Sequence, residues 1–509
     1  MQRPEIVRFL LNSLFAKLLF CWKEFYAMKY LISLIVFFIL FQQTGTAQQK
    51  GYTPKIEPCE CAFKADTSLK TRCAYLIVPE NRNKPNGKTI KLPFIYVEGK
   101  NPNRHKDPVL YTAGGPGASS LHGVTFIHNR AFMKDRDYIA FEQRGTYNAK
   151  PWLNCTEVPE AIKESYRKGL NRDSMILLAV KACRKRLVSE GVDLDAYNTI
   201  ENAADIEDLR RALNIDSINL VGISYSGGLM MTVMRNFPQH IRSVVLDSAL
   251  PGFVNYEEDA MFSINEAFDK IFSNCDRDST DKVKYGNLRQ RFHDYLNSIS
   301  NKTFYLNYKE KDKPDSIRIK YTRDELIDVL MNKLQSNREL KNVPYVITQL
   351  MAGNLKDCMT EYFDGVFGSG TSTQGMRFSM YCSEQINYAD QKVIDKQSIM
   401  FPYFAGYHFN DANHPVCDCW KVKSVDPIAK TPVYSHLPVL LSSGDTDPYC
   451  RPYYNDLIHH YMPNSQRLLF IDKTHAPLLN TREGDELLAA FLAHPFSPVV
   501  ADGKKVKAY

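Results

Sequence analysis

The sequence predicts an α/β fold: a mostly parallel sheet flanked by helices, with a helical cap inserted between its sixth and seventh strands. Short apolar runs alternate with helical patterns from about residue 73 to 250, which is typical of parallel strands joined by crossover helices. Charged, helix-rich segments then take over, and strand patterns resume near residue 432. These changes predict four regions: a leader at 1–47, the first part of the core at 48–251, the cap at 252–400 and the rest of the core at 401–509.

Eight apolar runs have the length of strands, and they are Ala74–Pro79, Ile90–Val97, Val109–Thr112, Tyr138–Glu142, Ile218–Ile223, Ser243–Asp247, Leu437–Leu441 and Arg467–Ile471. Helical spacing of apolar residues predicts a core helix over Asn202–Leu213, and a second core helix, Glu483–Leu492, closes the fold. Charged, helix-rich segments predict four cap helices, over Tyr256–Phe272, Lys284–Ser298, Thr322–Gln335 and Val343–Met351. The cap therefore interrupts the sheet between Ser243–Asp247 and Leu437–Leu441.

A serine follows the strand Ile218–Ile223 within the sequence Gly222-Ile223-Ser224-Tyr225-Ser226-Gly227. Small residues around a serine between a strand and a helix are typical of the nucleophile elbow, usually G-x-S-x-G. The tight turn exposes the hydroxyl at the N-terminus of the next helix, where negative charge is favoured. Ser224 is therefore the candidate nucleophile, although Ser226 occupies the second glycine position. The alternative is a small-residue turn whose serine has no catalytic role.

An acid and a base follow the last two predicted strands, in the order expected after such a nucleophile. Asp445 and Asp447 lie in the loop after Leu437–Leu441, and His475 follows Arg467–Ile471. We expect His475 to be the general base. Asp447 is the preferred acid, because it lies deeper in the loop, where its side chain can turn towards the histidine.

The oxyanion hole is expected from the glycine-rich loop after an earlier strand and from the amide after the nucleophile. The loop that follows Val109–Thr112 contains Gly114, Gly115 and Gly117, and glycine lets the backbone approach a substrate carbonyl closely. The predicted donors are the amides of Gly115 and Tyr225. The alternative is an ordinary glycine-rich turn; a phosphate-binding loop is excluded, because the sequence contains no G-x-x-x-x-G-K-[ST].

The segments Gly114–Ser119, Phe141–Thr146, Gly222–Tyr225 and Gly444–Pro448, together with His475, resemble the proline iminopeptidase and tripeptidyl aminopeptidase family of α/β-hydrolases. The resemblance extends from about residue 73 to 492. It implies the α/β-hydrolase fold with a helical cap over a serine-peptidase site. It also implies cleavage of peptide bonds near a free N-terminus.

Carboxylates of the cap bind the substrate's ammonium group in this family, and a buried carboxylate favours an ammonium over a neutral group. The segment Tyr381–Gln385 resembles the corresponding Cys-x-Glu segment, which makes Glu384 the candidate for substrate binding. The alternative is a solvated glutamate on a helix face. Two positions depart from the family pattern: Glu142 replaces an aspartate and Ser226 replaces a glycine.

Cysteine content indicates an oxidising compartment. Twelve cysteines are present, and eleven remain after the leader, so most are expected to pair with one left over. The resemblance implies three disulfides: Cys155 with Cys183, Cys73 with Cys59 or Cys61, and Cys382 with Cys417 or Cys419. Cys450 is the candidate for the unpaired thiol. A zinc site is disfavoured, because the two C-x-C pairs lack C-x-x-C spacing.

The N-terminal region predicts export. Met28 is the preferred translation start, and Leu31–Phe41 is an apolar run followed by a Gly-x-Ala pattern that ends at Ala47. The run is shorter than the roughly 20 residues of a membrane span, so we expect a cleaved signal peptide and no stable span afterwards. Periplasmic or extracellular localisation follows. The alternative is that the whole N-terminal region is retained as an amphipathic anchor.

Charge excludes one class of partner. The formal net charge is +7, and the leader contributes +3 of it, so the remainder is close to neutral. No basic stripe with interleaved aromatic residues is present, which argues against nucleic-acid binding. The basic tail at Lys504–Lys507 is expected to be solvated. The triad chemistry requires no metal or organic cofactor, and the expected partners are peptide substrates with a free N-terminus.

Three functions remain open on the sequence. The first is an exported serine aminopeptidase, of the prolyl or tripeptidyl type. The second is an esterase or acyl hydrolase of the same fold, which N-acetylation of the substrate would distinguish because only the peptidase needs a free amine. The third is a binding protein on a hydrolase scaffold, against which the complete set of Ser224, Asp447 and His475 argues.

Overall fold

The computed structural model describes residues 52–368 and 373–509, so the predicted leader lies outside the described residues. Residues Pro54–Tyr509 form one compact unit around a ten-stranded sheet with the strand order β1-β2-β3-β5-β4-β6-β7-β10-β11-β12. The strands of this sheet are β1 Lys55–Pro58, β2 Thr71–Pro79, β3 Thr89–Val97, β4 His105–Thr112, β5 Arg136–Phe141, β6 Ile218–Ile223, β7 Ile241–Asp247, β10 Val439–Gly444, β11 Ser465–Phe470 and β12 Val506–Ala508.

Six central strands, from β5 to β11 in the sheet order, are parallel, and antiparallel strands flank them on both sides. Their side chains are largely buried on both faces, as continuous apolar runs such as Val439–Leu441 require. The carboxyl ends of β6, β10 and β11 lie at the same edge of the sheet. Ser224, Asp447 and His475 follow these three strands, so the topology gathers them at that edge.

Helices cover the sheet and form the insertion. The core helices are α1 Glu157–Lys168, α2 Arg172–Ser189, α3 Thr199–Ala212, α4 Tyr225–Asn236, α14 Tyr453–Tyr461, α15 Pro477–Asn480 and α16 Arg482–Ala493. Between β7 and β10 lie α5 Ala260–Arg277, α6 Ser279–Tyr285, α7 Leu288–Ser298, α8 Arg323–Leu334, α9 Val343–Met351, α10 Lys356–Gly368, α11 Gln374–Glu384, α12 Gln391–Met400 and α13 His414–Trp420. The predicted α/β-hydrolase architecture, a parallel sheet with a helical insertion, is confirmed.

The insertion has its own apolar core, in which aromatic rings such as Phe268, Phe272 and Phe292 pack against one another. It contains a hairpin that the sequence prediction missed, β8 Phe304–Lys309 paired with β9 Ser316–Tyr321. The two strands are short and alternate buried and exposed residues within a charged part of the sequence. Their pattern is therefore hard to distinguish from the helical patterns around it. Helical elements also continue beyond residue 400, where the predicted cap ends, as far as the 3₁₀ turn Pro427–Lys430.

Two edge strands were also missed. β1 precedes the first predicted strand, so the insertion falls between the seventh and eighth strands of the sheet in chain order. The tail that was predicted to be solvated contains β12, which pairs antiparallel with β11 and buries Val506. Its neighbours Lys505 and Lys507 remain exposed, and this explains why the composition indicated a solvated tail.

Three disulfides agree with the pairings that the family resemblance implied: Cys61–Cys73, Cys155–Cys183 and Cys382–Cys417. The third joins α11 to α13 within the insertion. The expectation of a single leftover thiol was wrong, because the described part of the chain has five free cysteines, Cys59, Cys275, Cys358, Cys419 and Cys450. Within the described ranges, no helix combines the length and apolar character needed to cross a bilayer.

Candidate active site

Ser224 occupies a strained turn between β6 and α4. Its backbone has φ +54° and ψ −127°, a region that L-residues rarely adopt and that recurs at functional sites. The turn requires small residues, because a Cβ at Gly222 would lie 2.5 Å from the carbonyl oxygen of Ser226. The Ser224 hydroxyl therefore stands at the N-terminus of α4, as the sequence pattern predicts.

Ser226 explains how the elbow accommodates a side chain in place of its second glycine. Its buried hydroxyl accepts a hydrogen bond from the Ile223 amide at 2.8 Å and lies 2.8 Å from the carbonyl oxygen of Thr112, to which it can donate. The Ser226 side chain, which replaces the usual glycine, therefore links the elbow to the end of β4. Serine performs a bridging function here that glycine could not.

Asp447 and His475 form a hydrogen-bonded pair in the site. Asp447 Oδ2 lies 2.8 Å from His475 Nδ1, and Asp447 Oδ1 accepts hydrogen bonds from the amides of Tyr449 and Cys450. Burial lowers the pKa of His475, but the charge and hydrogen bond of Asp447 outweigh it and hold the pKa above its ordinary value. Asp445, the rival acid, instead pairs with Lys270 at 2.8 Å.

The nucleophile and the histidine loop are held by the same segment at the end of β7. The Ser224 amide donates to the carbonyl oxygen of Asp247 at 3.1 Å, and the Ala476 amide donates to Ser248 Oγ at 2.9 Å. Among the described residues, Ser224 Oγ has no hydrogen bond to His475, and its side-chain partner is Cys450 Sγ at 4.0 Å. Such serine–histidine bonds are often loose without substrate and tighten when it binds.

The predicted oxyanion loop lies directly against the nucleophile. A Cβ at Gly114 would come within 2.7 Å of Ser224 Cβ, so only glycine permits this approach. Gly115 has φ +115° and Gly117 has φ +108°, both in the region that favours glycine. The loop is also tied to Glu142, whose Oε2 accepts hydrogen bonds from the Ser120 amide and the Ser119 hydroxyl.

Glu384 lies at the end of α11, where the N-terminus of α3 meets it. Its two carboxylate oxygens accept hydrogen bonds from the amide and the hydroxyl of Thr199. Burial raises the pKa of Glu384, and these hydrogen bonds oppose the rise. Thr199 Oγ1 also lies 2.8 Å from the Tyr225 hydroxyl, so Thr199 links Glu384 to the side chain of Tyr225. Among the described residues, Glu384 has no hydrogen bond to Ser224, Asp447 or His475.

A second partly buried carboxylate, Glu257, was missed by the sequence analysis. One of its oxygens accepts a hydrogen bond from Asn410 at 2.7 Å, and burial raises its pKa to about 7 although Asn410 and the charge of Arg377 oppose this. Tyr381 interacts electrostatically with both Glu257 and Cys450, and Cys450 lies beside the nucleophile. Glu257 lies just inside the predicted start of the cap and belongs to no motif, so only its surroundings in the structure identify it.

Metal binding has little support in the described residues. One cluster has the spacing of metal ligands, Cys155, Glu157 and Cys183. The two sulfur atoms of this cluster form a disulfide with each other, so they are not free thiolates that could bind an ion.

Comparison with known proteins assigns the family. The sequence profile of the alpha/beta hydrolase fold matches residues 107–480, a range that contains Ser224, Asp447 and His475. A tripeptidyl aminopeptidase of Streptomyces lividans is 26% identical over 206 residues, which are 38% of this chain and 37% of that protein. The serine protease Hip1 of Mycobacterium tuberculosis is 24% identical over 189 residues, which are 35% of this chain and 36% of that protein.

The matched regions thus span well under half the length of these curated relatives. Among solved structures, proline iminopeptidase of Mycobacterium smegmatis aligns over 83% of this chain and 98% of its own with 15% identity and a TM-score of 0.39, a value below 0.5. The family assignment therefore depends on the sequence profile, the strand order and the serine elbow. Since that profile matches well over half of the sequence, the chain belongs to the α/β-hydrolase fold family.

Proposed function

We propose that this protein is an exported serine aminopeptidase that cleaves peptide bonds near a free N-terminus. The observation that carries the proposal is the pairing of Asp447 with His475 at the sheet edge where Ser224 occupies its strained elbow. The helical insertion between β7 and β10 and the names of the relatives, tripeptidyl aminopeptidase and serine protease, support a peptidase.

In the proposed reaction, His475 removes the proton of Ser224 Oγ while Asp447 orients the imidazole. Ser224 Oγ then attacks the scissile carbonyl carbon, and His475 passes the proton to the leaving amine. Water hydrolyses the resulting acyl-enzyme by the same route. The raised pKa of His475 suits this role, because Asp447 stabilises the imidazolium that forms during each attack.

The amides of Gly115 and Tyr225 are proposed to bind the oxyanion. Gly115 belongs to the loop packed on Ser224, and the Tyr225 amide is the first of α4. Each donor is expected to contribute on the order of 3 kcal/mol to stabilisation of the transition state.

Two carboxylates are candidates for binding the substrate's ammonium group. Glu384 is the candidate from the family resemblance, but both of its oxygens already accept hydrogen bonds from Thr199. Glu257 has one hydrogen-bonded oxygen, which accepts from Asn410, and among the described residues its other oxygen accepts no hydrogen bond. An ammonium would compensate the burial of either carboxylate, which is why a free amine would be required.

The test uses a prolyl-naphthylamide and an Ala-Ala-Pro-naphthylamide, each with a free and an N-acetylated terminus. Cleavage of the free-amine substrates alone supports the aminopeptidase, and the faster of the two gives the number of residues released. Equal cleavage of the acetylated forms would contradict it and indicate a general acyl hydrolase.

Glu384→Gln and Glu257→Gln identify the ammonium ligand in the same assay. The variant of the true ligand should lose most of its preference for the free amine, whereas the other variant should keep it. If both variants retain the preference, neither carboxylate binds the amine. Labelling of Ser224 by a fluorophosphonate, measured in parallel, shows that each variant keeps its triad.

The three disulfides indicate an oxidising compartment. Export through a cleaved leader is the corresponding proposal. N-terminal sequencing of the protein isolated from its native host should begin at Gln48, and a start upstream of Ala47 would contradict the predicted cleavage site.

A further inference from the structure

One helix of the insertion, α11, contacts both residues that are proposed to bind the oxyanion. Near its start, Arg377 Nη1 donates a hydrogen bond of 2.7 Å to the carbonyl oxygen of Gly115. One turn further on, Met380 Sδ lies 3.7 Å from the hydroxyl of Tyr225. At its end, Glu384 binds Thr199, whose hydroxyl also bonds the Tyr225 hydroxyl. A single rigid element therefore touches two core segments that the sequence separates by about a hundred residues.

The Arg377 guanidinium is fixed from several directions. Its Nε donates to Asp411 Oδ1 at 3.1 Å, and its Nη2 donates to Asn410 Oδ1 at 2.6 Å. Its carbon atom Cζ lies 4.5 Å from the centre of the Tyr381 ring, a cation–π distance. Only 22% of the side chain is exposed. A planar group held by three partners presents Nη1 to Gly115 in one orientation.

The loop that receives this bond needs an external support. Gly115 and Gly117 both have positive φ, and glycine loses more conformational freedom on ordering than any other residue. The amide and the carbonyl of Gly115 are separated only by the φ and ψ angles of that residue, so fixing the carbonyl restricts the direction of the amide. Thr373, just before α11, packs against the same loop so closely that a Cβ at Gly117 would lie 2.6 Å from Thr373 Oγ1.

We infer that Arg377 is a positioning residue that sets the oxyanion hole from the cap side. It holds the carbonyl of Gly115 so that the Gly115 amide points at the developing oxyanion. The proton transfers belong to Ser224 and His475, and Arg377 takes no part in them. The inference depends on the proposed function, because it assumes a tetrahedral intermediate at Ser224.

The test replaces the guanidinium while keeping the length of the side chain. Arg377→Met should lower kcat, measured at saturating substrate, by about tenfold to a hundredfold, because a misdirected donor weakens the transition state. KM should change by less than about twofold unless Glu257, whose raised pKa the charge of Arg377 opposes, binds the ammonium group. The affinity for a peptide boronic acid, which forms a tetrahedral adduct with the serine, should fall by a similar factor. Arg377→Lys, which can still donate to the Gly115 carbonyl, should recover part of both losses.

A matched control separates positioning from general damage to the insertion. Arg323 is buried in the insertion and, like Arg377, donates to a backbone carbonyl, that of Ala405, which is distant in sequence from the oxyanion loop. Arg323→Met should leave kcat and boronic acid affinity near those of the wild type, with thermal unfolding of every variant recorded alongside. If Arg377→Met also unfolds at a lower temperature, the Arg377→Lys variant decides the matter through its partial recovery of kcat.

The outcomes distinguish this inference from the proposed function. If a fluorophosphonate does not label Ser224 of the wild-type protein, the proposed function fails and this inference fails with it. If the wild type is labelled but Arg377→Met keeps full kcat, or if Arg323→Met loses as much, only the role of Arg377 is overturned. Arg377→Lys with no recovery relative to Arg377→Met would overturn it as well.

Discussion

Asp247 Oδ2 accepts a hydrogen bond of 2.9 Å from the amide of Leu479, so the last residue of β7 holds the short helix that follows His475. Its other oxygen accepts hydrogen bonds from the Ser442 hydroxyl and the Leu478 amide. The carbonyl of Asp247 meanwhile accepts from the Ser224 amide. One buried residue therefore connects the nucleophile to the loop that carries the proposed base.

Replacing Asp247 should loosen that connection. Asp247→Ala leaves two amides of the histidine loop without partners, and each buried unsatisfied group costs about 1–3 kcal/mol. We expect a clear fall in the free energy of unfolding and in kcat. Asp247→Asn retains an acceptor oxygen and should lose much less. Urea unfolding and steady-state kinetics of the two variants check this; equal losses in both would contradict the hydrogen-bonding explanation.

The pH dependence of stability provides a second check on the same residue. Burial raises the pKa of Asp247 to about 6, although its hydrogen bonds oppose the rise. The folded state then holds the proton to a higher pH than the unfolded state, so the stability of the wild type should fall relative to Asp247→Asn as pH rises from about 4 to about 6. A difference that stays constant across this window would show that the pKa is not raised.

The strained turn at Ser224 should be visible in stability. Ser224→Ala is expected to lose several orders of magnitude in kcat and to keep its fold, because the methyl group retains the strained backbone. Ser224→Gly removes the steric conflict at φ +54° and should unfold at a higher temperature than Ser224→Ala, by an amount equivalent to about 1–3 kcal/mol. Thermal unfolding of the two inactive variants measures the difference. An equal or lower midpoint for Ser224→Gly would contradict strain at the elbow.

The acid limb of the pH–rate profile should identify the partner of His475. The base must be neutral, so kcat/KM falls as pH drops through the raised pKa of His475. Asp447→Asn removes the charge that raises this pKa while burial continues to lower it. We therefore expect the limb to move to lower pH, together with a roughly thousandfold or greater loss of kcat. Asp445→Asn is the control and should leave both unchanged, since Asp445 pairs with Lys270.

The disulfide between α11 and α13 should stabilise the insertion. Replacing Cys382 and Cys417 with serine should cost about 2–4 kcal/mol of unfolding free energy in oxidising buffer. Cys419→Ser, a free thiol two residues away, is the control and should have little effect. After reduction, the difference between the double variant and the wild type should disappear. A difference that persists would mean that the serines, and not the missing bond, cause the loss.

The sequence by itself determined the parts of the molecule that neighbouring residues encode. Apolar runs of strand length, the small residues around Ser224 and the turns after β10 and β11 are local signals, and the structure has each of them. The order of Ser224, Asp447 and His475 after their strands matches the order of a hydrolase triad, and this predicted that the three residues act together. The hairpin β8–β9 was missed because its short alternation lies within a charged, helix-rich context.

Only the tertiary structure decided the contacts between segments far apart in the chain. In the structure, Cys73 pairs with Cys61 and not with Cys59, and Asp447 is the residue hydrogen-bonded to His475. Both carboxylate oxygens of Glu384 accept hydrogen bonds from Thr199. The structure also brings Arg377 to Gly115 across 262 positions, which no local pattern indicates. The physical reason is that periodicity and turn chemistry depend on a few adjacent residues, whereas these pairings depend on how the insertion packs on the sheet.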